Sequence, residues 1–557
     1  MNKTAILHIP KSQYSFAYDY RELRIRLRTA RNDLDKAEII YAVKYDWLKD
    51  RKIKQMQKSY SDALYDYYTV SLDVPDSRIG YIFLLQSGEE QYYYSEEGLT
   101  VDYNHEKSYY NFFQYPYINE IDVHKKVKWC EQAVFYQIFV DRFCIGSSLK
   151  DKKYIDKKWG ELPQPKGFYG GDLKGIAEKL DYLNDLGVNS IYLTPIFQSP
   201  SNHKYDTIDY DTVDSMFGIN EDLRELVDAA HKKGIRLLLD AVFNHCSYLC
   251  KQFQDVMENG RQSEYYDWFI IYGDKPDLEK MNYECFAACD YMPKWNTNNS
   301  EVQKYLLHIA TKWIEDYGID GWRLDVADEV SHDFWRNFRK AVKAVKPDAM
   351  IIGENWHDSR PWLEGDQFDS IMNYSFTKAC LDYFAYGKYT AQQFCNRLSE
   401  ILMRNTDQVN EMMLNLLDGH DTERFLTNTG ENKAKLKCAL AVMFAFVGMP
   451  CIYYGTEIGM IGGYDPDSRR TFDWNESHWD KDLLTTVKNL VKLRKEKIFG
   501  CLKLSAKNDV FILEREKVVL FVNNTEIERE VRWNGKIYKI SPLDYTFVMK
   551  EGKNESH

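Results

Sequence analysis

The chain lacks a surplus of positive charge, a membrane-length apolar segment, a cysteine framework and any repeat, and each absence removes a class of function. With 73 Lys+Arg against 85 Asp+Glu the net charge is -12, which argues against nucleic acid, whose affinity rests on basic side chains neutralising phosphate. The longest apolar run, Cys438 to Gly455, is broken by Gly448 and Pro450. It reads as a helix followed by a strand rather than a membrane span, which needs about 20 apolar residues. The start, MNKTAILHIPKSQYS, has no charged-apolar-small export pattern, so a cytoplasmic address is expected. The 11 cysteines are odd in number and scattered, the usage of reduced thiols rather than disulfides. Cys246/Cys250 and Cys285/Cys289 form two C-x3-C pairs in one region. Their spacing is not that of a zinc ribbon, and packing thiols are expected.

What is present is ordinary globular composition, 44% hydrophobic and 28% charged, with 15% aromatic residues including 42 Tyr and 13 Trp. Aromatics suit stacking on sugar rings, but large cores use them equally. Residues 1–122 alternate apolar and polar positions in short runs such as LRIRLRT, KAEIIYAV and RIGYIFLL, the period of a β-sandwich. After Trp129 strands alternate with helices: VFYQIFV, NSIYLTP, IRLLLDAVFNH, GWRLD, AMIIGEN, FDSIMNY, MLNLLDGH and CIYYG are the strand segments. Between them GDLKGIAEKLDYLNDLG reads as one helix stopped by Gly187, and further helices are predicted over 302–317 and 334–345. The expected architecture is α/β, a (β/α)8 TIM barrel over 123–500, with a small inserted subdomain at 246–300 after the third strand. A C-terminal antiparallel β domain over 501–557 follows from VFILERE, KVVLFVNN and KIYKIS.

Four segments end strands with polar residues: DAVFNH (Asp240, His245), GWRLDVADEV (Arg323, Asp325), IIGENW (Glu354) and LLDGHDTERF (His420, Asp421). In such a barrel the βα loops at the C-terminal strand ends build the pocket. Paired carboxylates there suit glycosidic bond cleavage, in which one attacks or shelters an oxocarbenium-like centre and the other protonates the leaving oxygen. Acidic helix caps would explain lone carboxylates. They do not explain Arg323, which shares a strand face with Asp325 and is expected to keep it ionised.

These segments, with AVFYQIFVDRF, FYGGDLKGI, GVNSIYLTPIF, SNHKYDTIDY and GMPCIYYGTEIGM…DPDSRR, resemble the α-amylase family (glycoside hydrolase family 13), nearest its cyclomaltodextrinase, neopullulanase and maltogenic amylase branch. The resemblance implies Asp325 as nucleophile, Glu354 as general acid/base and Asp421 as a third carboxylate gripping sugar hydroxyls. It implies that Tyr205 stacks on the sugar being cleaved, and that His245, Arg323 and His420 bond hydroxyls or orient carboxylates; Asp240 and Arg424 are grouped with the substrate-binding residues. Glu329 and Trp356 match positions lining the acceptor side, with Trp295 of MPKWNT a weaker candidate platform. Asp328 replaces the usual Asn, and TFDW at 471–474 departs from the branch pattern.

The implied activity is retaining hydrolysis of α-1,4 bonds in cyclodextrins, maltooligosaccharides and pullulan, with transfer to sugar acceptors as a side reaction. An α-1,6-glucosidase of the same superfamily and an inactive glucan-binding protein on this fold are the alternatives. No cofactor is expected. The branch often binds calcium in the loop after the first barrel strand, but here the run Ile145, Gly146, Ser147, Ser148, Leu149, Lys150, Asp151 has lost most oxygen ligands. Finally, the resemblance implies a homodimer through the N-terminal module, for which Tyr109, Tyr110, Phe112, Phe113, Tyr115 and Tyr117 are expected to offer an aromatic surface.

Overall fold

The computed structural model describes residues 1–107, 111–147 and 150–550. The chain forms two compact units, one of Met1–Lys126, Gly387–Glu411 and the segment from Gly500 onward, the other of Val127–Tyr386 and Met412–Phe499.

In the second unit the strand segments become Phe135–Ile138, Ser190–Leu193, Arg236–Ala241, Gly321–Leu324, Met350–Gly353, Ser370–Ile371, Leu414–Leu416 and Met449–Tyr453. They pair in parallel in chain order, with the eighth against the first. A parallel bridge from Met372 to Leu414 joins the sixth to the seventh and closes the ring. These strands are apolar nearly throughout because both faces are covered. Phe135, Leu238, Ile352, Leu414 and Met449 pack together in one buried cluster. Around it, Ser300–Tyr317 buries Val302, Leu306, Ile309 and Trp313 on one face and is capped by the Asn299 side chain. His332–Val345 buries Phe334, Trp335, Phe338 and Val342 and is capped by Ser331. The helix expected after the first strand is interrupted: Leu173–Glu178 and Leu180–Leu186 flank Lys179, whose ψ of 7° turns the chain. Ile176, Leu180, Leu183 and Leu186 are nevertheless all buried, as their spacing predicts.

The segment after the third strand holds the helix Lys251–Asn259 and scattered single-residue bridges, including His245 to Lys294 and Phe269 to Trp295. Cys246 and Cys250 are buried with their sulfurs 3.3 Å apart, and all eleven cysteines are free thiols. Trp295 is a core residue, its ring 4.9 Å from Phe269 and its indole N–H donating to the Tyr210 hydroxyl at 3.2 Å, so it is not a subsite platform. Phe472 and Trp474 of the divergent TFDW likewise pack on Phe143 and Tyr182. No helix among the described residues is long and apolar enough to cross a membrane.

The first unit contains two antiparallel sheets, one built on Glu22–Ala30 and Tyr65–Asp73, the other on Lys36–Val43 and Ile79–Ser87. Alternation places Leu23, Ile25 and Leu27 against Ile39, Phe83 and Leu85 in a shared core. Among the described residues, most of the aromatic surface expected near the end of this module is buried. Phe113 and Tyr115 belong to that core and Phe112 to a second cluster with Trp47 and Ile82. Phe113–Tyr115 forms a strand against Ile79–Tyr81, which draws its side chains inward. Tyr117 is exposed, and Tyr109 and Tyr110 lie outside the described residues. Strands Lys503–Lys507, Val510–Glu514, Val518–Asn523 and Asp544–Met549 make an antiparallel sheet. The helix Ala391–Met403 packs with it, the Phe394 and Phe511 rings being 4.9 Å apart.

Asp407 ties this unit together by pairing with Arg24 and with Arg26, which is 1% exposed. Burial opposes the Asp407 charge, but Arg26 and Arg24 outweigh it and hold the carboxyl below its ordinary range. A depressed carboxylate contributes stability above its unfolded pKa of ~3.9, and that contribution is lost as pH falls through the folded value. Asp407→Asn should lower stability by about 2–3 kcal/mol, less than the loss of a wholly buried partner because Asp407 is partly exposed. In calorimetric scans the Tm deficit relative to the parent should be full at pH 7 and shrink below about pH 4; a pH-independent deficit would assign the loss to packing.

Candidate active site

The barrel's inward face ends in carboxylates because alternate residues of adjacent strands share it. Asp240 lies beside Arg323 in the register of the third and fourth strands. Gly321 makes that neighbourhood possible: its φ is +154° and a Cβ there would stand 2.1 Å from the Met350 carbonyl oxygen, so any side chain would push the fourth strand off the fifth. Asp325 follows the fourth strand, its N–H donating to Ala241 O at 3.1 Å, and Glu354 follows the fifth, its N–H donating to Leu324 O at 2.9 Å. Between them Val326 adopts a left-handed conformation (φ 44°, ψ 46°), unusual for a β-branched residue. The turn aims the Val326 N–H at Glu354 Oε2, 3.0 Å away.

Arg323, 1% exposed, is the hub of this arrangement. Its Nη1 donates to Asp240 at 3.1 and 3.0 Å and to Asp325 Oδ1 at 2.8 Å, and its Nη2 stands 2.9 Å from Glu354 Oε1. The expectation has Arg323 keep Asp325 ionised and bond hydroxyls or orient carboxylates; in the structure its one guanidinium is shared among three carboxylates. Burial pushes Asp325 well above the ordinary aspartate range, Glu354 adds to the rise, and Arg323 opposes it only in part. Burial likewise raises Asp240 against Arg323 and the hydroxyl of Tyr192, which donates at 2.7 Å. Both aspartates are thus raised by burial and by neighbouring carboxylate charge, with Arg323 as the common opposing cation.

Asp421 differs. It accepts from His420 Nε2 at 2.9 Å and Arg469 Nη2 at 3.2 Å. Burial works against its charge, but His420 and Arg469 outweigh burial and hold it far below the ordinary range, so it is an anion at any working pH. His420 is fixed on its other side by Gln137 Nε2 at 2.7 Å. The Tyr205 hydroxyl lies 2.6 Å from His420 Nε2 and 3.0 Å from Asp240 Oδ2.

A cleft of about 500 Å³ opens over these groups. Of the sequence-predicted residues, Tyr205, His245, Asp325, Glu329, Glu354, Trp356 and Asp421 line it; Asp240, Arg323 and His420 stand behind the lining and hold it. Arg424 does not belong with them. It is fully buried, donating to Ser468 O at 3.2 Å and Tyr454 O at 2.8 Å with Tyr453 beneath it at 4.3 Å, so it secures backbone beyond the eighth strand. Trp356 is 45% exposed, stacked on Tyr374 at 3.7 Å with planes 6° apart, and its indole N–H reaches Glu354 Oε1 at 3.3 Å. Glu329 pairs with Lys294 at 3.1 Å.

Sequence reasoning missed His203, Phe286, Asp465 and Arg469 in the lining. Arg469 stands within the DPDSRR run and carried a signal as a cation near a strand-end carboxylate. Phe286, whose ring stacks 4.9 Å from that of His245, comes from an irregular segment with no period to read. Burial pushes the imidazoles down, His203 to about 4 and His245 to about 3, so both are neutral at neutral pH. The His245 Nε2 is buried without a hydrogen-bond partner, which a polar ligand in the cleft would supply. Among the described residues no group of three His, Cys, Asp or Glu is placed to hold a metal ion.

Comparison with known proteins agrees with this geometry. The alpha amylase catalytic domain matches residues 137–497 and the alpha amylase N-terminal Ig-like domain residues 1–119. The chain is similar to the cyclomaltodextrinase of Thermoanaerobacter pseudethanolicus, 46% identical over 95% of this chain and 94% of that protein. It is also similar to the intracellular maltogenic amylase of Bacillus subtilis, 42% identical over 94% and 91% of the two chains. A solved cyclomaltodextrinase structure superposes with a TM-score of 0.91 at 39% identity, covering 96% of this chain and 94% of the other. A closed (β/α)8 ring with four acidic strand ends, an N-terminal Ig-like module and near full-length matches mean that the chain is a glycoside hydrolase of the alpha-amylase family.

Proposed function

We propose that the protein hydrolyses α-1,4-glucosidic bonds of cyclodextrins and maltooligosaccharides, and of pullulan, with retention of configuration. The observation that carries this reading is the convergence of Asp325 and Glu354 on one guanidinium at the floor of the cleft, with the permanently ionised Asp421 also in its lining. Asp325 attacks the anomeric carbon, the bond to the leaving oxygen breaks, and that oxygen takes the proton of Glu354. Glu354, now a carboxylate, removes a proton from water, whose oxygen displaces Asp325 and leaves an α product. Substrate decides the proton's place: the glycosidic oxygen is an acceptor for Glu354, while Asp325, donating to nothing, keeps its charge against Arg323. Tyr205 offers a ring face to the sugar, His245 Nε2 and Asp421 take hydroxyls, and Trp356 with Glu329 receives the acceptor. When the acceptor is a sugar in place of water, the same steps give transfer.

Asp421 held ionised, and Arg323 paired with Asp240, Asp325 and Glu354, argue against an inactive glucan-binding protein, since buried charges are costly to keep. The sequence resemblance favours α-1,4 over α-1,6 bonds. The name of the Bacillus subtilis relative supports a cytoplasmic address. A homodimer through the N-terminal module rests on the resemblance, with exposed Tyr45 and Tyr117, both near the Arg78 guanidinium, as available aromatic surface.

Replacing Glu354 by Gln should keep the fold and lower kcat on β-cyclodextrin by about 10²–10⁴-fold, the worth of a positioned proton donor, and Asp325→Ala should cost more. Turnover within a few fold of the parent would remove the assignment, and NMR of the first product should show the α anomer. Because the His203 and His245 imidazoles stay neutral above about pH 5, neither should add a step to kcat/KM between there and pH 8, and His245→Ala should lower activity without changing the profile's shape. Sedimentation at micromolar concentration should give a dimer; a monomer that prefers starch to β-cyclodextrin would contradict the assembly.

A further inference from the structure

A cation does sit in the loop after the first barrel strand, and it is the chain's own. The Lys150 ammonium, its side chain 3% exposed, lies 2.8 Å from Asp172 Oδ2 and donates to Gly170 O at 2.7 Å and Met216 O at 2.8 Å. Asp172 Oδ1 is occupied by the N–H groups of Gly146 at 3.0 Å and Gly175 at 2.7 Å. The Tyr154 ring lies 5.5 Å from the ammonium and its hydroxyl donates to Met216 O at 2.8 Å. A calcium ion needs about six to eight oxygens. One carboxylate and two carbonyls already filled by a lysine do not fit it, and Asp151 spends its carboxylate on the Lys153 N–H at 3.0 Å.

A second buried ammonium also contacts Met216. Lys204, fully buried, pairs with Asp214 Oδ2 at 2.9 Å and reaches Ser199 O at 3.0 Å and Met216 Sδ at 3.2 Å. Asp214 also accepts from Ser199 N at 2.8 Å and, through Oδ1, from Met216 N at 2.8 Å. Lys204 is in the left-handed region (φ 65°) and immediately precedes Tyr205. Segment 199–216, which carries His203 and Tyr205 into the cleft, is thus gripped at Met216 by two ammonium groups, one of them anchored in the loop of the first strand.

We propose that Lys150 is a built-in replacement for a bound cation and, with Lys204, a positioning residue that fixes the Tyr205 segment, so that the site needs no divalent ion. The kinetic half of this inference rests on the proposed glucan hydrolysis; the stability half does not. The test compares the parent, Lys150→Ala and Lys150→Gln after EDTA dialysis, by melting temperature and by kinetics on β-cyclodextrin. EDTA followed by Ca²⁺ should leave the parent unchanged in both. Lys150→Ala should melt about 5 °C lower, since it removes the ammonium from the buried Asp172 carboxylate, and lose about tenfold in kcat/KM through a looser Tyr205. Propylammonium chloride, against sodium chloride of equal ionic strength, should restore Tm and kcat/KM together. Lys150→Gln, which keeps a donor and loses the charge, should fold and show smaller losses, which covers the case of an unstable alanine variant. A parent whose Tm falls in EDTA and recovers with Ca²⁺, a Lys150 variant with parental Tm and KM, or losses untouched by propylammonium would overturn the proposal. Failure of the parent on β-cyclodextrin with the melting results intact would count against the function alone.

Discussion

The site depends on a single guanidinium. Arg323 links Asp240, Asp325 and Glu354, which reach the cleft from three successive strands, so the spacing of these carboxylates is set by barrel register. Three buried carboxylates around one fixed cation cannot all be ionised cheaply. Burial, with the negative charge of Glu354 beside them, raises both Asp325 and Asp240 against the pull of Arg323. Asp421 escapes the competition by having its own partners, His420 and Arg469. One carboxylate is thereby kept out of the crowding that raises Asp240 and Asp325.

The same economy of internal charge recurs where the cleft wall is held. Lys150 and Lys204 each surrender hydration for a carboxylate and for carbonyl or thioether contacts, and burial pulls both ammonium groups below the ordinary lysine range against the opposing pull of Asp172 and Asp214. Arg424 and Arg494 secure backbone carbonyls around the eighth strand in the same way. A buried cation bonded to main-chain oxygens fixes a loop without the hydrogen-bond ladder that a strand or helix would supply.

What the sequence revealed follows periodicity. All eight strands, the Ser300–Tyr317 and His332–Val345 helices and the strand-end carboxylates repeat with a period that burial enforces, and they were legible. Features without a period were not. The break at Lys179 leaves the apolar face intact, so the pattern reads as one helix. Phe112, Phe113 and Tyr115 looked like a surface because a short strand and a loop give no alternation long enough to mark the inward side. Arg424 and Trp295 were placed by sequence neighbourhood, which says nothing of direction. Trp356 was legible as an aromatic next to Glu354, but its support by Tyr374 joins residues eighteen positions apart in non-repeating chain. The sharing of Arg323 among three acids is a property of register between strands, and no single segment carries it.

The first unit is discontinuous: its middle piece, Gly387–Glu411, is made long after the module at the start, and its last piece only at the end. Asp407 must find Arg24 and Arg26 across several hundred residues of intervening chain. The apolar face of Ala391–Met403, with Phe394, Leu398 and Leu402, has the strand Val510–Glu514 among its neighbours. During synthesis that face waits until residues beyond 500 leave the ribosome. The core of the first unit is thus assembled from contacts of large sequence separation, which carry a high loop-closure cost and slow its completion relative to a module folded from neighbouring strands alone.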